Sequence, residues 1–272
     1  MSSFFRTRII DAADAADHGD AIRRMRREEF DGLVVRGVYD AAACAKLCAR
    51  LEAGRHGLIR TEFPGPFRAY FLGVNLNLAP SDLDGYFAAA AVFRTGLERL
   101  FSGLPDLQSR VASLLGQLDD GRRYRPAPGP QVGSAHMFTT LRAHMPGGFI
   151  PVHFDNEQAA RPSYRLLMRD LAADLFSFVL AFSQAEGGGA LEIYNLRHGG
   201  RSFRMVDGAE EAGRLDLAGV ESVQWRLAPG EMILFNSGRY LHRVTPVEGA
   251  ATRWTACSFM AESRGGDAYC WG

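Results

Sequence analysis

The chain has 272 residues, 47% hydrophobic and 23% charged, with 31 basic and 31 acidic side chains that cancel to a formal net charge of zero. That composition supports a well-filled globular core. The charge balance, with no Lys/Arg block, argues against a nucleic-acid partner. The densest basic stretch, IRRMRREEF at 22–30, is answered at once by two Glu and reads as a solvated helix face. No apolar run is long enough to predict a membrane span or a signal peptide, so the expected location is the cytoplasm.

In chain order, GLVVRGVYD predicts a short strand that ends at Asp40, the N-cap of a helix through AAACAKLCARLEAG, which Gly54 closes. Cys44 and Cys48 share an apolar face of that helix with Leu47 and Leu51 and read as reduced core residues. FRAYFLGVNLNL at 67–78 predicts a strand. SDLDGYFAAAAVFRTGLERLFSG predicts an amphipathic helix with a Ser81…Asp84 capping pair, and Pro105 opens a second helix in DLQSRVASLLGQL. The Gly/Pro-dense stretch 119–134 predicts a loop that divides the chain into a mixed, helical half at 1–134 and a half at 135–272. In the second half, strands are predicted in AHMFTTLRAHM, FIPVHF, LFSFVLAFS, ALEIYN, RSFRMV, SVQWRLA, EMILFN, LHRVTPV and RWTACSFMA, with one helix in SYRLLMRDLAA. Many short strands between Gly/Pro turns favour a sandwich or barrel over a parallel sheet.

One segment of this half carries chemistry. In HMPGGFIPVHFDNE, 144–157, His153 and Asp155 stand at i and i+2 after a Pro-Gly-Gly turn, a spacing that puts both side chains on one face of a strand. Alone, such a pair is weak evidence and is more often a hydrogen-bonded His near a strand end. His242, at the start of a later strand, is the candidate for a third ligand. Two His and one carboxylate form the facial triad of non-haem Fe(II) oxygenases, which leaves coordination positions open. Further on, Arg253 and Thr255 share a strand face. Arg clamps a carboxylate through two parallel hydrogen bonds, and a Thr hydroxyl adds a third.

Taken together, PGGFIPVHFDN, EGGGALEIYN and LAPGEMILFNSGRYLHRVTPVEGAATRWTACSFM resemble the Fe(II)/2-oxoglutarate-dependent oxygenase superfamily over about residues 135–262. The resemblance implies a mostly β fold: a double-stranded β-helix, the jelly-roll of cupins, with N-terminal helices packed outside in one catalytic unit. It implies His153, Asp155 and His242 as ligands of Fe(II), with 2-oxoglutarate and O₂ as cosubstrates. Arg253 and Thr255 are implied to hold the far carboxylate of 2-oxoglutarate. On the strand before the H-x-D pair, Thr140, Arg142 and His144 share a face, and Thr140 and His144 are further candidates for cosubstrate contact.

The layout is similar to bacterial small-molecule hydroxylases of the N-acyl amino acid type and to related aliphatic halogenases. Those halogenases replace the triad carboxylate with Gly or Ala; this chain keeps Asp155, which argues for hydroxylation. The implied reaction hydroxylates an unactivated C–H bond and releases succinate and CO₂. Candidate contacts for a small-molecule substrate are Arg142, Asn156, Glu157, Phe235, Arg68, Tyr70 and Asn75. Desaturation or ring closure, a peptide substrate, and a cupin-type dioxygenase that uses no 2-oxoglutarate stay open as alternatives. The oligomeric state is not legible.

Overall fold

A computed structural model of the chain describes residues 4–54, 56–172, 175–199 and 217–272. Sixteen strands and five α-helices are described. The first part runs β1 (Thr7–Asp11), α1 (Ala21–Arg26), β2 (Gly32–Arg36), α2 (Ala41–Glu52), β3 (Arg60–Glu62), β4 (Ala69–Leu72), α3 (Asp84–Leu100), α4 (Leu107–Gln117) and β5 (Tyr124–Pro126). The second runs β6 (Thr140–His144), β7 (Ile150–His153), α5 (Arg165–Met168), β8 (Phe176–Ala181), β9 (Gly187–Gly188) and β10 (Leu191–Arg197). It ends with β11 (Ser222–Trp225), β12 (Met232–Phe235), β13 (Tyr240–Val244), β14 (Val247–Glu248), β15 (Arg253–Glu262) and β16 (Ala268–Trp271).

Two sheets face each other, as expected for a jelly-roll. The larger is ordered β1-β2-β12-β8-β15-β6-β4-β3, with β16 and β5 branching from β15; the smaller is ordered β11-β10-β13-β7. Period-two alternation decides what each strand contributes. Along β12, Met232 and Leu234 pack against the helices, while Ile233 and Phe235 face the smaller sheet. Along β15, Trp254 and Ala256 join the helical side, which leaves Arg253, Thr255 and Cys257 to point between the sheets. The 1–134 half is not only an outer layer of helices: β1 to β4 extend the large sheet, so one sheet crosses the residue-134 boundary.

Local chemistry explains most element boundaries. The Asp40 side chain accepts from the Ala43 N–H at 2.7 Å, and Asp106 from the Ser109 N–H at 2.8 Å, capping α2 and α4. The α3 cap differs from expectation. Its N-cap is Leu83, without a side-chain bond, because the Asp84 N–H is taken by Asp82 Oδ1 at 3.1 Å in a turn just ahead of the helix. The strand expected over 67–78 stops at Leu72. Gly73 turns the backbone to φ +104°, and Asn75 caps a one-turn 3₁₀ segment. The helix expected over 163–173 is short. Beyond Met168 the backbone is drawn to the end of β15, where the Ala172 N–H donates to the Glu262 carbonyl at 2.9 Å. The expected loop at 119–134 contains β5, parallel to β16. The expected strand RSFRMV lies outside the described residues.

No helix among the described residues is long and apolar enough to cross a membrane. All four cysteines are free. At Gly230, before β12, φ is +85° and an added Cβ would lie 1.9 Å from the Tyr39 carbonyl oxygen. Gly230→Ala is therefore expected to cost about 2–4 kcal/mol, from strain plus displacement of the Tyr39 backbone. Chemical denaturation checks this; a loss under about 0.5 kcal/mol would show that the turn relaxes freely.

Candidate metal centre

His153 is the last residue of β7. Phe154 keeps an extended backbone (φ −110°, ψ 134°), so Asp155 emerges on the same face and then begins a 3₁₀ turn, its N–H held by the Ser237 carbonyl at 3.0 Å. β13 runs antiparallel to β7 with His242 directly opposite His153. That register sets the two imidazoles side by side, tilted by 49° with centroids 4.2 Å apart. His153 Nε2 lies 3.4 Å from Asp155 Oδ1, and His242 Nε2 lies 3.9 Å from Asp155 Oδ2. The three ligand atoms fall within 4.8 Å of one another, the arrangement of His, Cys, Asp and Glu among the described residues that could hold a metal. Atoms about 2.1 Å from one ion at right angles lie roughly 3 Å apart, so the three side chains draw together to close on an ion.

The donor chemistry fits a divalent ion. His153 Nδ1 lies 2.8 Å from the Pro151 carbonyl oxygen, and His242 Nδ1 lies 2.9 Å from the Tyr240 carbonyl oxygen. A carbonyl only accepts, so each Nδ1 carries the hydrogen and each Nε2 presents its lone pair to the centre. Burial, helped by the neighbouring His153, pushes His242 down to about 4, which keeps it neutral and ready to ligate. For Asp155, burial works upward, but the two imidazoles outweigh it and hold the carboxyl below its ordinary value. Phe235 sets its ring edge-on to His242 at 5.1 Å.

The triad forms one wall of a cavity between the sheets, of about 510 Å³ counting its open mouth. Ile150, Leu191 and Val244 give it apolar sides. Across from the triad, β15 pairs β6 so that Arg253 faces His144 and Thr255 faces Arg142. Arg253 is 5% exposed and has no carboxylate within ion-pair distance among the described residues; its Nη1 lies 3.5 Å from His144 Nδ1. Burial pulls its guanidinium down to about 10, still charged at neutral pH. Burial, and then the Arg253 and Arg142 charges, hold His144 far below its usual value, so it is neutral, with Nε2 buried and unpartnered. A buried cation without a counter-ion beside an unsatisfied ring nitrogen is costly unless an anion completes them. Gly189, at φ +60°, makes room for this: a Cβ there would lie 2.9 Å from Arg253 Cδ.

The model of the carrier-protein-independent halogenase WelO5 family matches residues 4–272. The chain belongs to that family. No curated protein matches it significantly. Among solved structures, an N-substituted L-amino acid dioxygenase from Burkholderia ambifaria AMMD is similar with TM-score 0.62 and 17% identity, over 93% of this chain and 91% of that one. The same dioxygenase in complex with alpha-KG is similar with TM-score 0.56 and 15% identity, over the same shares of both chains. The alpha-ketoglutarate-dependent epimerase SnoN from nogalamycin biosynthesis is similar with TM-score 0.50 and 13% identity, over 91% of this chain and 82% of that one. These likenesses agree with the jelly-roll. With its WelO5-family membership and His-Asp-His triad, the chain is an enzyme of the Fe(II)/2-oxoglutarate class, with O₂ as the second cosubstrate.

The structure gathers some sequence-proposed residues and disperses others. His153, Asp155, His242, Arg253, Thr255, His144, Arg142 and Phe235 line one cavity. Thr140 lies just behind it, opposite Cys257, fully buried with its hydroxyl unpartnered. Five candidate substrate contacts do not line it. Arg68 is an exposed left-handed turn residue whose carbonyl accepts from the Met145 N–H. Tyr70 points to the helical face, against Trp254 and under the Arg60 guanidinium at 3.7 Å. Asn75 caps its 3₁₀ turn, and Asn156 Oδ1 accepts from the Leu175 N–H at 3.4 Å. Glu157 is half-buried in the turn after Asp155, and burial pushes its carboxyl up to about 7. Ser177, Cys257 and Phe259 line the cavity and were not foreseen. The signal for two of them was present, since Cys257 and Phe259 continue the i, i+2 series from Arg253 and Thr255.

Proposed function

We propose that this enzyme hydroxylates an unactivated C–H bond of a small molecule, an amino acid derivative being the first class to test, while 2-oxoglutarate and O₂ are consumed and succinate and CO₂ released. The observation that carries the reading is Asp155: a buried carboxylate between two imidazoles, in the coordination position that a halide needs. Halogenation is the second reading, favoured by the name of the matching family.

When bound, iron with its two cosubstrates would supply an oxidant strong enough to take a hydrogen atom from carbon. The chain supplies the rest. His153 and His242 bind the metal through Nε2, each fixed by its Nδ1–H on a backbone carbonyl. Asp155 stays ionised and offsets half of a divalent charge. Arg253, with Thr255 beside it, pairs with the far carboxylate of 2-oxoglutarate, and neutral His144 and the Thr140 hydroxyl complete the polar end. Ile150, Leu191, Val244 and Phe235 exclude water around the reacting carbon. We treat 1–134 as a brace continuous with the 135–272 jelly-roll, the whole working as one catalytic unit.

The test is a panel of candidate small molecules, N-substituted amino acids first, incubated with Fe(II), 2-oxoglutarate and O₂ and read by mass. An added oxygen dependent on all three supports the proposal. Added chlorine from the unaltered enzyme would establish the second reading instead.

A further inference from the structure

Arg253 is not the cavity's only arginine. Arg142, on β6 directly opposite Thr255, also lines it. Its Nε is buried without a hydrogen-bond partner, and no carboxylate lies within ion-pair distance among the described residues. Two rings steady it instead: the guanidinium carbon sits 5.1 Å from the centroid of Phe71 and 6.0 Å from that of Phe259. Rings position a cation without neutralising it. A half-buried guanidinium that faces the cavity without a counter-ion still draws an anion there.

Its location says which anion. Arg142 lies one residue pair along the β6–β15 ladder from the His144–Arg253 pair, and its stacking on Phe259 carries the guanidinium away from Arg253. Phe259 is level with the triad: it stands opposite Ser177 on β8, Ser177 stands opposite Phe235 on β12, and the Phe235 ring lies 5.1 Å from that of His242. The Arg142 guanidinium therefore lies toward the triad end of the cavity and Arg253 toward the other. The cavity so offers a dicarboxylate one guanidinium for each of its two carboxylates.

We infer that Arg142 binds the carboxylate of 2-oxoglutarate nearest the metal, so that two arginines clamp the two ends of the cosubstrate. This rests on the proposed function. It frees Arg142 from the prime substrate, which then needs no negative charge of its own.

Oxalate separates the two clamps, because it chelates a metal as the keto-acid end does but has no far carboxylate. The full chain, loaded with Ni(II) and kept anaerobic, is titrated calorimetrically with 2-oxoglutarate and with oxalate. Arg142→Met is expected to weaken both acids by about tenfold to a hundredfold, the loss of a charge-assisted bond. Arg253→Met is expected to weaken 2-oxoglutarate alone. Ni(II) affinity without either acid reports whether the site still assembles; in Arg142→Met it is expected to be unchanged or tighter, since a nearby cation is gone. Should that variant fail to take up metal, Arg142→Lys replaces it, with an expected intermediate loss for oxalate. Oxalate and 2-oxoglutarate affinities within twofold of the unaltered protein, in a variant that binds metal, would overturn the inference and return Arg142 to an anionic prime substrate. Unaltered protein that binds metal but neither acid would overturn the proposed function itself.

Discussion

Asp155→Gly is expected to lose hydroxylation by roughly a hundredfold or more and to bind Fe(II) more weakly, because it removes the one anionic ligand of the triad. Asp155 is 2% exposed and lies within 4 Å of both imidazole Nε2 atoms, so its loss leaves both without their carboxylate neighbour. What remains is two neutral imidazoles and a coordination position that an outside anion can enter. With excess chloride the unaltered enzyme should give no chlorinated product. The variant should give either little product or some chlorination, according to where the substrate carbon lies. Product mass with and without chloride is the readout. Full hydroxylation by Asp155→Gly would remove Asp155 from the metal site.

Arg253→Ala is expected to raise the KM for 2-oxoglutarate about a hundredfold while the KM for the prime substrate moves little. The side chain is buried and lacks a carboxylate partner among the described residues, so its loss costs the cosubstrate a two-pronged ion pair that nothing nearby replaces. Arg253→Lys should recover only part, because an ammonium cannot offer two parallel N–H groups. Steady-state kinetics against each substrate checks this; a 2-oxoglutarate KM within threefold of the unaltered value would reject the assignment.

The triad was legible in the sequence because its chemistry is short-range in one direction and strongly typed in the other. His153 and Asp155 are two residues apart, and His242 begins a strand after a Gly turn. The pairing that brings His242 opposite His153 is a long-range register that spacing does not reveal. The jelly-roll was legible only through the family resemblance, since alternation alone yields a set of strands and not their order. β1, β5 and β16 were missed for a physical reason. β1 has only one partner strand and little buried apolar surface, β5 carries Pro126, and β16 packs into a core that its own short sequence does not announce. The substrate candidates Arg68, Tyr70 and Asn75 misled because the strand assumed over 67–78 ends at Leu72, and their side chains go to turns or to the helical face. Arg142 was visible as a member of a strand face, but its want of a partner is a property of packing alone.

The most direct test of the central claim is an anaerobic titration of metal-free protein with Fe(II) and then 2-oxoglutarate, followed by visible absorption. One Fe(II) is expected to bind per chain, with a charge-transfer band on adding 2-oxoglutarate, a band lost in His242→Ala and requiring far more 2-oxoglutarate in Arg253→Ala. A band of unaltered strength in His242→Ala, or 2-oxoglutarate binding that needs no metal, would contradict it.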